Sequence, residues 1–199
     1  MSKVAIIDSG GANIASLLFA LERLGTSAVL TTDAEVIRTA ERVVLPGVGA
    51  AKDAMSRLAE TGLIDVIRTL TQPVLGICLG MQLLCDASEE EDVECLGIIP
   101  GTARKLPAII DYPVPNMGWC STRMIKEHET LADIENGSYF YYLHSYAVPV
   151  SKNTLAIAAH ADEFSAVIAY QNFVAAQFHP ERSSSAGAKL LQNFIGTPE

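Results

Sequence analysis

The chain has 199 residues, of which 49% are apolar and 19% charged, and its mean hydropathy is +0.25. This composition excludes intrinsic disorder and predicts one folded domain over 1–199, because a chain of this length buries roughly 70% of its unfolded surface. A net charge of −9 argues against a nucleic-acid partner. No apolar run reaches the roughly 18 residues of a membrane span. Asp8 comes too early for a signal peptide, so we expect a cytoplasmic protein.

The first part of the chain alternates short apolar runs with segments of helical spacing. The strand-like runs lie at 3–8, 27–30, 42–45 and 74–78. Helical spacing covers 14–24, 50–60 and 63–70. Such alternation predicts a parallel sheet flanked by helices, with the nearly all-apolar run at 74–78 near its centre.

The second part contains consecutive strand-like runs separated by turn signals. These runs lie at 119–125, 138–144, 155–160, 164–170 and 173–178. Asn136-Gly137 and Gln171-Asn172 are predicted turns, and the acidic run 89–92 is predicted to be a solvated loop. A final helix is expected over 183–195, where serines 183 to 185 offer an N-cap. The predicted fold is therefore α/β: an open, mostly parallel twisted sheet with flanking helices and an antiparallel, strand-rich second half.

The four cysteines are predicted to be free thiols. They lie at positions 78, 85, 95 and 120, and no pair has Cys-x-x-Cys spacing. A chain of this size does not need disulfides, which suits a reducing compartment. We interpret Cys85 and Cys95 as small core residues, the usual role of a free cysteine.

Cys78 is the candidate nucleophile. It lies in Gly76-Ile77-Cys78-Leu79-Gly80, the pattern of a nucleophile elbow with Cys in place of Ser, between a predicted strand and helix. The glycines permit the sharp turn, and the start of a helix favours the reactive thiolate. The amide of Leu79 is a candidate oxyanion donor.

His179 is the candidate base. It ends an apolar strand, and in extended chain Glu181, two residues later, shares its face and orients the ring. Pro180 keeps His179 out of the helical region. His128 lies in a polar stretch and His160 has no partner nearby, so we interpret them as surface and structural residues.

The loop Gly47-Val48-Gly49 is a candidate for the oxyanion side. It follows the third strand and precedes a helix, so its amides are able to point inward, although on the loop alone an ordinary turn before a helix is the favoured interpretation. The loop lacks the Lys-Ser/Thr of a phosphate loop, and Gly10-Gly11 does not fit Gly-x-Gly-x-x-Gly. We therefore expect neither a cofactor nor a metal.

Together these residues resemble the class I glutamine amidotransferases. The segment 76–82 matches the family's nucleophile motif, and His179-Pro180-Glu181 matches its His-x-Glu motif. More narrowly, the chain resembles the family's glutaminase subunits of imidazole glycerol phosphate synthases, in order along nearly its whole length. The matching segments are 8–13, 45–49, Met117-Gly118-Trp119, His144-Ser145-Tyr146 and 178–181.

The resemblance implies hydrolysis of glutamine to glutamate and ammonia. Cys78 would attack the side-chain amide and form a glutamyl thioester. His179 would protonate the departing ammonia and then activate water, while Glu181 orients His179. Leu79 and the Gly47-Val48-Gly49 loop would hold the oxyanion.

The same resemblance implies how substrate and partner are bound. Gln82 and the segment His144-Ser145-Tyr146 would hold the glutamine, with His144 as a positioning residue. Ammonia would pass to a separate cyclase subunit, an α/β barrel in a heterodimer that serves histidine biosynthesis. The residues that would face this partner are Asn13, Met117, Trp119 and Arg182.

Some interpretations stay open on the sequence alone. Asn116 and Cys120 depart from the subfamily, where His or Gln is common at the first position and Asn at the second. Trp119 is equally consistent with an interface or a core position.

Three other functions are compatible with parts of the pattern. A glutaminase serving pyridoxal phosphate, GMP or anthranilate synthesis is disfavoured by the Met-Gly-Trp and His-Ser-Tyr segments. A Cys-His peptidase or deglycase is disfavoured by Glu181 and Gln82. A non-enzymatic domain would require the loss of a catalytic residue, and none of the three is missing.

Overall fold

The computed structural model describes residues 3–10 and 14–196, with six α-helices in the described part of the chain. The helices are α1 (Ile14–Arg23), α2 (Ala34–Thr39), α3 (Ala51–Glu60), α4 (Leu63–Arg68), α5 (Leu79–Leu83) and α6 (Ser184–Ile195). The first seven strands are β1 (Lys3–Ile7), β2 (Ser27–Thr31), β3 (Arg42–Gly47), β4 (Val74–Cys78), β5 (Cys85–Ser88), β6 (Val93–Glu94) and β7 (Ile99–Lys105). The others are β8 (Asn116–Ser121), β9 (Arg123–Met124), β10 (Tyr139–His144), β11 (Tyr146–Ala147), β12 (Thr154–His160), β13 (Asp162–Tyr170) and β14 (Phe173–Ala176).

The largest sheet has eight strands in the order β2-β1-β3-β4-β14-β13-β12-β9. The strands from β2 to β14 are joined by parallel pairs, whereas β13, β12 and β9 are added by antiparallel pairs. The mixed α/β sheet predicted from the sequence is thus confirmed. In the register of β3 and β4, Gly47 lies opposite Cys78, so the predicted oxyanion loop and the nucleophile emerge at the same edge of the sheet.

Helices cover both faces of the parallel strands. Side chains alternate along β1, where Val4 and Ile6 join one apolar cluster and Ala5 and Ile7 join the other. The first cluster includes residues of α1 and α6, and the second includes residues of α2, α3 and α4. Each fully buried side chain of this kind stabilises the fold by about 1.5–3 kcal/mol, which gives the site a rigid support.

Two smaller sheets lie beside the large one. Strands β10 and β8 form an antiparallel ribbon, and a four-stranded sheet has the order β11-β7-β5-β6. The sequence patterns give no sign of β5, β6, β7 or α2. Helix α2 has a single buried residue, Ile37, and therefore no apolar periodicity; the Asp33 carboxylate starts it by accepting from the amides of Glu35 and Val36.

The predicted strand 119–125 is wrong in its bounds. The chain instead forms β8 from Asn116, and β9 follows in a different sheet. The change of sheet occurs at Thr122, which is buried and whose hydroxyl lies 2.7 Å from that of Tyr142. Gln171-Asn172 does form the tight turn between β13 and β14. None of the helices over the described ranges is long and apolar enough to cross a membrane.

Candidate active site

Cys78 lies at a strained corner between β4 and α5. Its backbone has φ of 53° and ψ of −111°, and residues other than glycine rarely adopt a conformation with positive φ. The corner leaves the side chain 6% exposed beside a cavity, at the first turn of α5. Its sulfur lies 3.6 Å from the carbonyl oxygen of Leu143 and 3.8 Å from Nε2 of Gln177.

The two flanking glycines lie where a Cβ would meet close neighbours. A Cβ at Gly80 would lie 1.8 Å from the carbonyl oxygen of Leu45. A Cβ at Gly76 would lie 2.8 Å from Cδ1 of Leu84. The Gly-x-Cys-x-Gly pattern is therefore a packing requirement for bringing α5 against β3 and β4.

His179 and Glu181 follow strand β14 at the same edge of the sheet. Nδ1 of His179 lies 2.9 Å from Oε1 of Glu181, and both side chains are 5% exposed. The amide of His179 donates to the carbonyl of Tyr141 at 2.9 Å. The hydroxyl of Ser183 donates to the carbonyl of His179 at 2.6 Å and accepts from the amide of Tyr141 at 2.9 Å. Ser183 is the N-cap residue of α6, within the serine run expected there, but its hydroxyl makes no capping hydrogen bond and instead holds the segment that carries His179.

The ring of His179 is held in its charged form. Burial disfavours the imidazolium, but hydrogen bonds and charge attraction from Cys78 and Glu181 outweigh it and raise the pKa of His179 to about 10. The second carboxylate oxygen, Oε2 of Glu181, is buried and has no hydrogen-bond partner in the described part of the chain. A cation on the adjacent ring stabilises such a carboxylate.

A cavity of about 520 Å³ opens over these groups. Its lining includes most of the residues singled out in the sequence: Val48, Gly49, Cys78, Leu79, Gln82, His144, Ser145, Tyr146, His179 and Arg182. Gly47 does not line it; a Cβ there would lie 2.9 Å from Cβ of Leu79, so this glycine permits a close approach. Glu181 lies behind His179.

Gln82 holds the wall of the cavity through its amide group. Its Nε2 donates to the carbonyl of Tyr146 at 2.8 Å and to Oε1 of Gln177 at 3.1 Å. Gln177 is fully buried directly after β14. Sequence reasoning missed Gln177, although its position two residues before His179, on the same side of an extended chain, is a usable signal.

Glu90 is a second residue that sequence reasoning missed. It belongs to the run predicted as a solvated loop, but residues Glu90–Asp92 form a 3-10 helix and Glu90 lines the cavity. Its Oε2 accepts from the amide of Ala51 at 2.9 Å, at the start of α3. The prediction of a purely solvated run is therefore wrong for this residue. No local pattern identifies it, because the contact spans 39 positions.

The described cavity is not lined by His128, His160, Cys85 or Cys95. His160 is buried, and its Nε2 lies 2.7 Å from the carbonyl of Pro113. His128 is half-buried and accepts from the amide of Thr130 at 3.2 Å. Cys85 and Cys95 are buried free thiols, and burial raises their pKa to about 12 and about 11. Across the described ranges, no three His, Cys, Asp or Glu side chains are grouped so as to hold a metal ion.

The ribbon of β8 and β10 exposes large side chains beside the cavity. Met117 is 67% and Trp119 51% exposed, so Trp119 is not a core aromatic. Trp119 contacts the ring of Tyr141 edge-on, and the guanidinium of Arg182 lies 4.8 Å from the centre of that ring. Asn13, the other residue expected at an interface, lies outside the described residues.

Comparison with known proteins assigns the fold and the family. The chain belongs to the family described as glutamine amidotransferase class-I, whose profile matches residues 5–197. It is 50% identical to "Imidazole glycerol phosphate synthase subunit HisH 2" of Legionella pneumophila strain Philadelphia 1, over 96% of each chain. It is 48% identical to "Imidazole glycerol phosphate synthase subunit HisH" of Pasteurella multocida, over 98% of each chain.

Solved structures agree on the fold. The chain superposes on a protein from Thermoplasma acidophilum, described as a GMP synthase component, with a TM-score of 0.77, at 20% identity over 99% of this chain and 94% of that one. A crystal structure of a glutamine amidotransferase matches with a TM-score of 0.74, at 17% identity and 96% coverage of each chain. At these identities the similarity supports the class I amidotransferase fold alone.

Proposed function

We propose that this chain is the glutamine-hydrolysing subunit of an imidazole glycerol phosphate synthase. The observation that carries the proposal is the convergence of Cys78, His179 and Glu181 at one edge of the sheet, on a cavity large enough for an amino acid. The near full-length similarity to synthase subunits from several bacteria supports the pathway. The four free thiols suit a cytoplasmic location.

The first half of the reaction begins with attack on the side-chain amide. The thiolate of Cys78, paired with the imidazolium of His179, adds to the amide carbon. The negative charge on the carbonyl oxygen is stabilised by the Leu79 amide and the loop at Val48 and Gly49, which line the cavity. Proton transfer from His179 to the amide nitrogen releases ammonia and leaves a glutamyl thioester.

The second half hydrolyses the thioester. Neutral His179 takes a proton from water, which attacks the same carbon, and the tetrahedral intermediate expels the Cys78 sulfur as a thiolate. The glutamic acid formed loses its proton to solvent, so the thiolate and the imidazolium are both restored. Glu181 keeps the proton of Nδ1 and the orientation of the ring fixed, so Nε2 faces the reacting atoms throughout.

Charged side chains on the cavity wall suit the two ends of glutamine. Glu90 brings a carboxylate for the α-ammonium group, and Arg182 brings a guanidinium that complements the α-carboxylate. Both N–H groups of Gln82 are used by protein acceptors, so Gln82 offers substrate only its carbonyl oxygen. These features favour a free amino acid over a peptide.

The ribbon face of Met117, Trp119, Tyr139, Tyr141 and Arg182 is the proposed docking surface for a cyclase subunit with an α/β-barrel fold. Exposed aromatic and Met side chains of this kind are typical of interface cores. Arg182 contributes both to this face and to the cavity, which joins the site to the partner. Ammonia released at Cys78 then enters the barrel and reaches the nucleotide substrate.

A glutamate-release assay tests the proposal. We expect the chain alone to hydrolyse glutamine slowly, and the cyclase subunit with its nucleotide ligand to increase the rate strongly. The variant Cys78→Ala should bind the cyclase but release no glutamate, whereas Cys95→Ala, at a buried thiol of the other core cluster, should remain active. If the cyclase does not stimulate glutamate release, the proposed synthase function is wrong. If Cys78→Ala retains activity, Cys78 is not the nucleophile.

A further inference from the structure

A second buried histidine forms a hydrogen-bond chain behind the cavity wall. His144 ends strand β10, and its Nε2 lies 3.1 Å from Nδ2 of Asn116 on the paired strand β8. Asn116 is 2% exposed and does not line the cavity, whereas His144 does. The contact therefore joins the partner-facing ribbon to the segment that lines the glutamine site.

The direction of every hydrogen bond in this chain follows from its partners. Nδ1 of His144 lies 2.9 Å from the carbonyl of Tyr146, which is able only to accept, so Nδ1 carries a proton. Burial lowers the pKa of His144 to about 4, so the ring is neutral and its Nε2 has no proton. Nε2 therefore accepts, and Asn116 must present its N–H group. The Oδ1 of Asn116 then faces the thiol of Cys120, which donates at 3.5 Å.

The carbonyl of Tyr146 is where this chain meets the substrate-binding wall. It accepts one hydrogen bond from Nδ1 of His144 and a second, at 2.8 Å, from Nε2 of Gln82. With two donors fixed on one oxygen, the backbone at 144–146 and the amide of Gln82 are held relative to each other. Both line the cavity.

We propose that Asn116 is a positioning residue for glutamine binding: it fixes the Nδ1–H tautomer of His144, and through the Tyr146 carbonyl it holds the orientation of Gln82. The inference rests on the proposed function only in naming glutamine as the ligand. Asn116 acts without touching substrate. It also accounts for Cys120, whose thiol holds the Asn116 amide with its N–H group towards His144.

Replacing Asn116 with aspartate reverses one hydrogen bond with little change in shape. The carboxylate of Asn116→Asp only accepts, so it requires a proton on Nε2 of His144. The ring then either shifts its proton from Nδ1 to Nε2 and repels the Tyr146 carbonyl, or becomes an imidazolium. Either state differs from the neutral Nδ1–H ring. Asn116→Gln retains an N–H donor and is the conservative variant.

Ring-nitrogen NMR of the full-length, isotope-labelled chain reads this tautomer directly. The His144 signals are assigned by their loss in His144→Gln. We expect the neutral Nδ1–H form at pH 7 in the natural chain and in Asn116→Gln, and the Nε2–H form or the imidazolium in Asn116→Asp. An Nε2–H ring or an imidazolium in the natural chain would overturn the inference, and circular dichroism checks that His144→Gln, which serves only for the assignment, is folded.

Steady-state kinetics of the complex with its cyclase subunit test whether Asn116 affects glutamine binding. We expect Asn116→Asp to raise KM for glutamine about tenfold with kcat changed by less than about threefold, because the loss falls on positioning of the binding wall. Asn136→Asp adds the same charge at an exposed site and keeps its acceptor for the Met124 amide, so it should leave KM unchanged. A normal KM in Asn116→Asp, or a change that Asn136→Asp shares, contradicts the inference. A natural complex without glutaminase activity would instead contradict the proposed function and leave the NMR test intact.

Discussion

Two buried histidines on neighbouring segments have opposite charge states. His179 is 4% exposed and His144 is 6% exposed, yet the pKa of the first is raised to about 10 and that of the second is lowered to about 4. Burial lowers both. The difference arises because His179 lies between a thiol and a carboxylate, whereas His144 lies between a carbonyl and a carboxamide. Hydrogen-bond partners, rather than depth, therefore decide the charge.

Each charge state suits a different task. In the proposed mechanism, the cationic ring of His179 is the proton donor for the departing ammonia. The neutral ring of His144 has one donor and one acceptor in fixed places, which suits a positioning role in the substrate-binding segment. His144 ends strand β10 and His179 follows strand β14, so the two proposed tasks fall to the same residue type on two neighbouring segments.

Substitutions of His179 and His144 should affect different kinetic parameters, with the larger change at His179. We expect His179→Asn to lower kcat for glutamate release by about 10³- to 10⁴-fold, because both proton transfers are lost. His144→Asn should mainly raise KM, by about tenfold, because only positioning is lost. Steady-state assays of the two variants in the complex check this, with circular dichroism as the folding control. Equal losses of kcat in both variants would break the distinction.

A substitution at Glu181 gives His179 a neutral neighbour, as His144 has in Asn116. Glu181→Gln removes the carboxylate but keeps a hydrogen-bonding group beside Nδ1, so the pKa of His179 should fall and kcat should decrease about 10²-fold. Titration of the His179 ring by NMR, with Glu163→Gln on the exposed Arg123 pair as the control, measures the shift. An unchanged pKa in Glu181→Gln would show that the carboxylate does not hold the charge.

The two rings should also make the free energy of unfolding depend on pH, with opposite signs. In the unfolded chain His144 gains a proton below about pH 6.5, whereas in the folded protein its ring stays neutral down to about pH 4. The stabilisation that the neutral ring contributes to the free energy of unfolding is therefore lost as the pH falls through this window. His179 is charged when folded up to about pH 10, so its contribution is lost as pH rises from about 6.5 towards 10. Urea unfolding at pH 5, 7 and 9 measures both. His144→Gln should flatten the acid side and leave the alkaline side unchanged, and the reverse pattern would contradict the assignment.

Local patterns predicted the parts of the site that lie close together in sequence. The Gly-x-Cys-x-Gly corner and the His-x-Glu pair each fit within five residues. The corner indicated Cys78, and the pair, a weak signal by itself, indicated His179 and Glu181 once it was combined with the corner. The parallel strands of the first half were also accessible, because buried strands are short, continuous apolar runs.

Contacts over long sequence separations were not accessible in this way. Glu90 is held at the cavity by a hydrogen bond from the amide of Ala51. Gln177 is linked to the site by a hydrogen bond from Gln82, which is 95 positions away in the sequence. Asn116 is noticed in the sequence only as a departure from the resembling subfamily, and its partner His144 is 28 positions away. No periodicity encodes such pairs, since they depend on how the ribbon and the four-stranded sheet pack against the main sheet.

Cys78 should carry a glutamyl group during turnover, and mass spectrometry of the quenched protein detects that group. The complex with its cyclase subunit is mixed with glutamine, quenched with acid within the first turnovers, and digested to locate any adduct. We expect one glutamyl thioester, confined to the peptide that contains Cys78 and absent from Cys78→Ala. Continued glutamate release with an adduct on Cys85, Cys95 or Cys120 alone, or from Cys78→Ala, would contradict it.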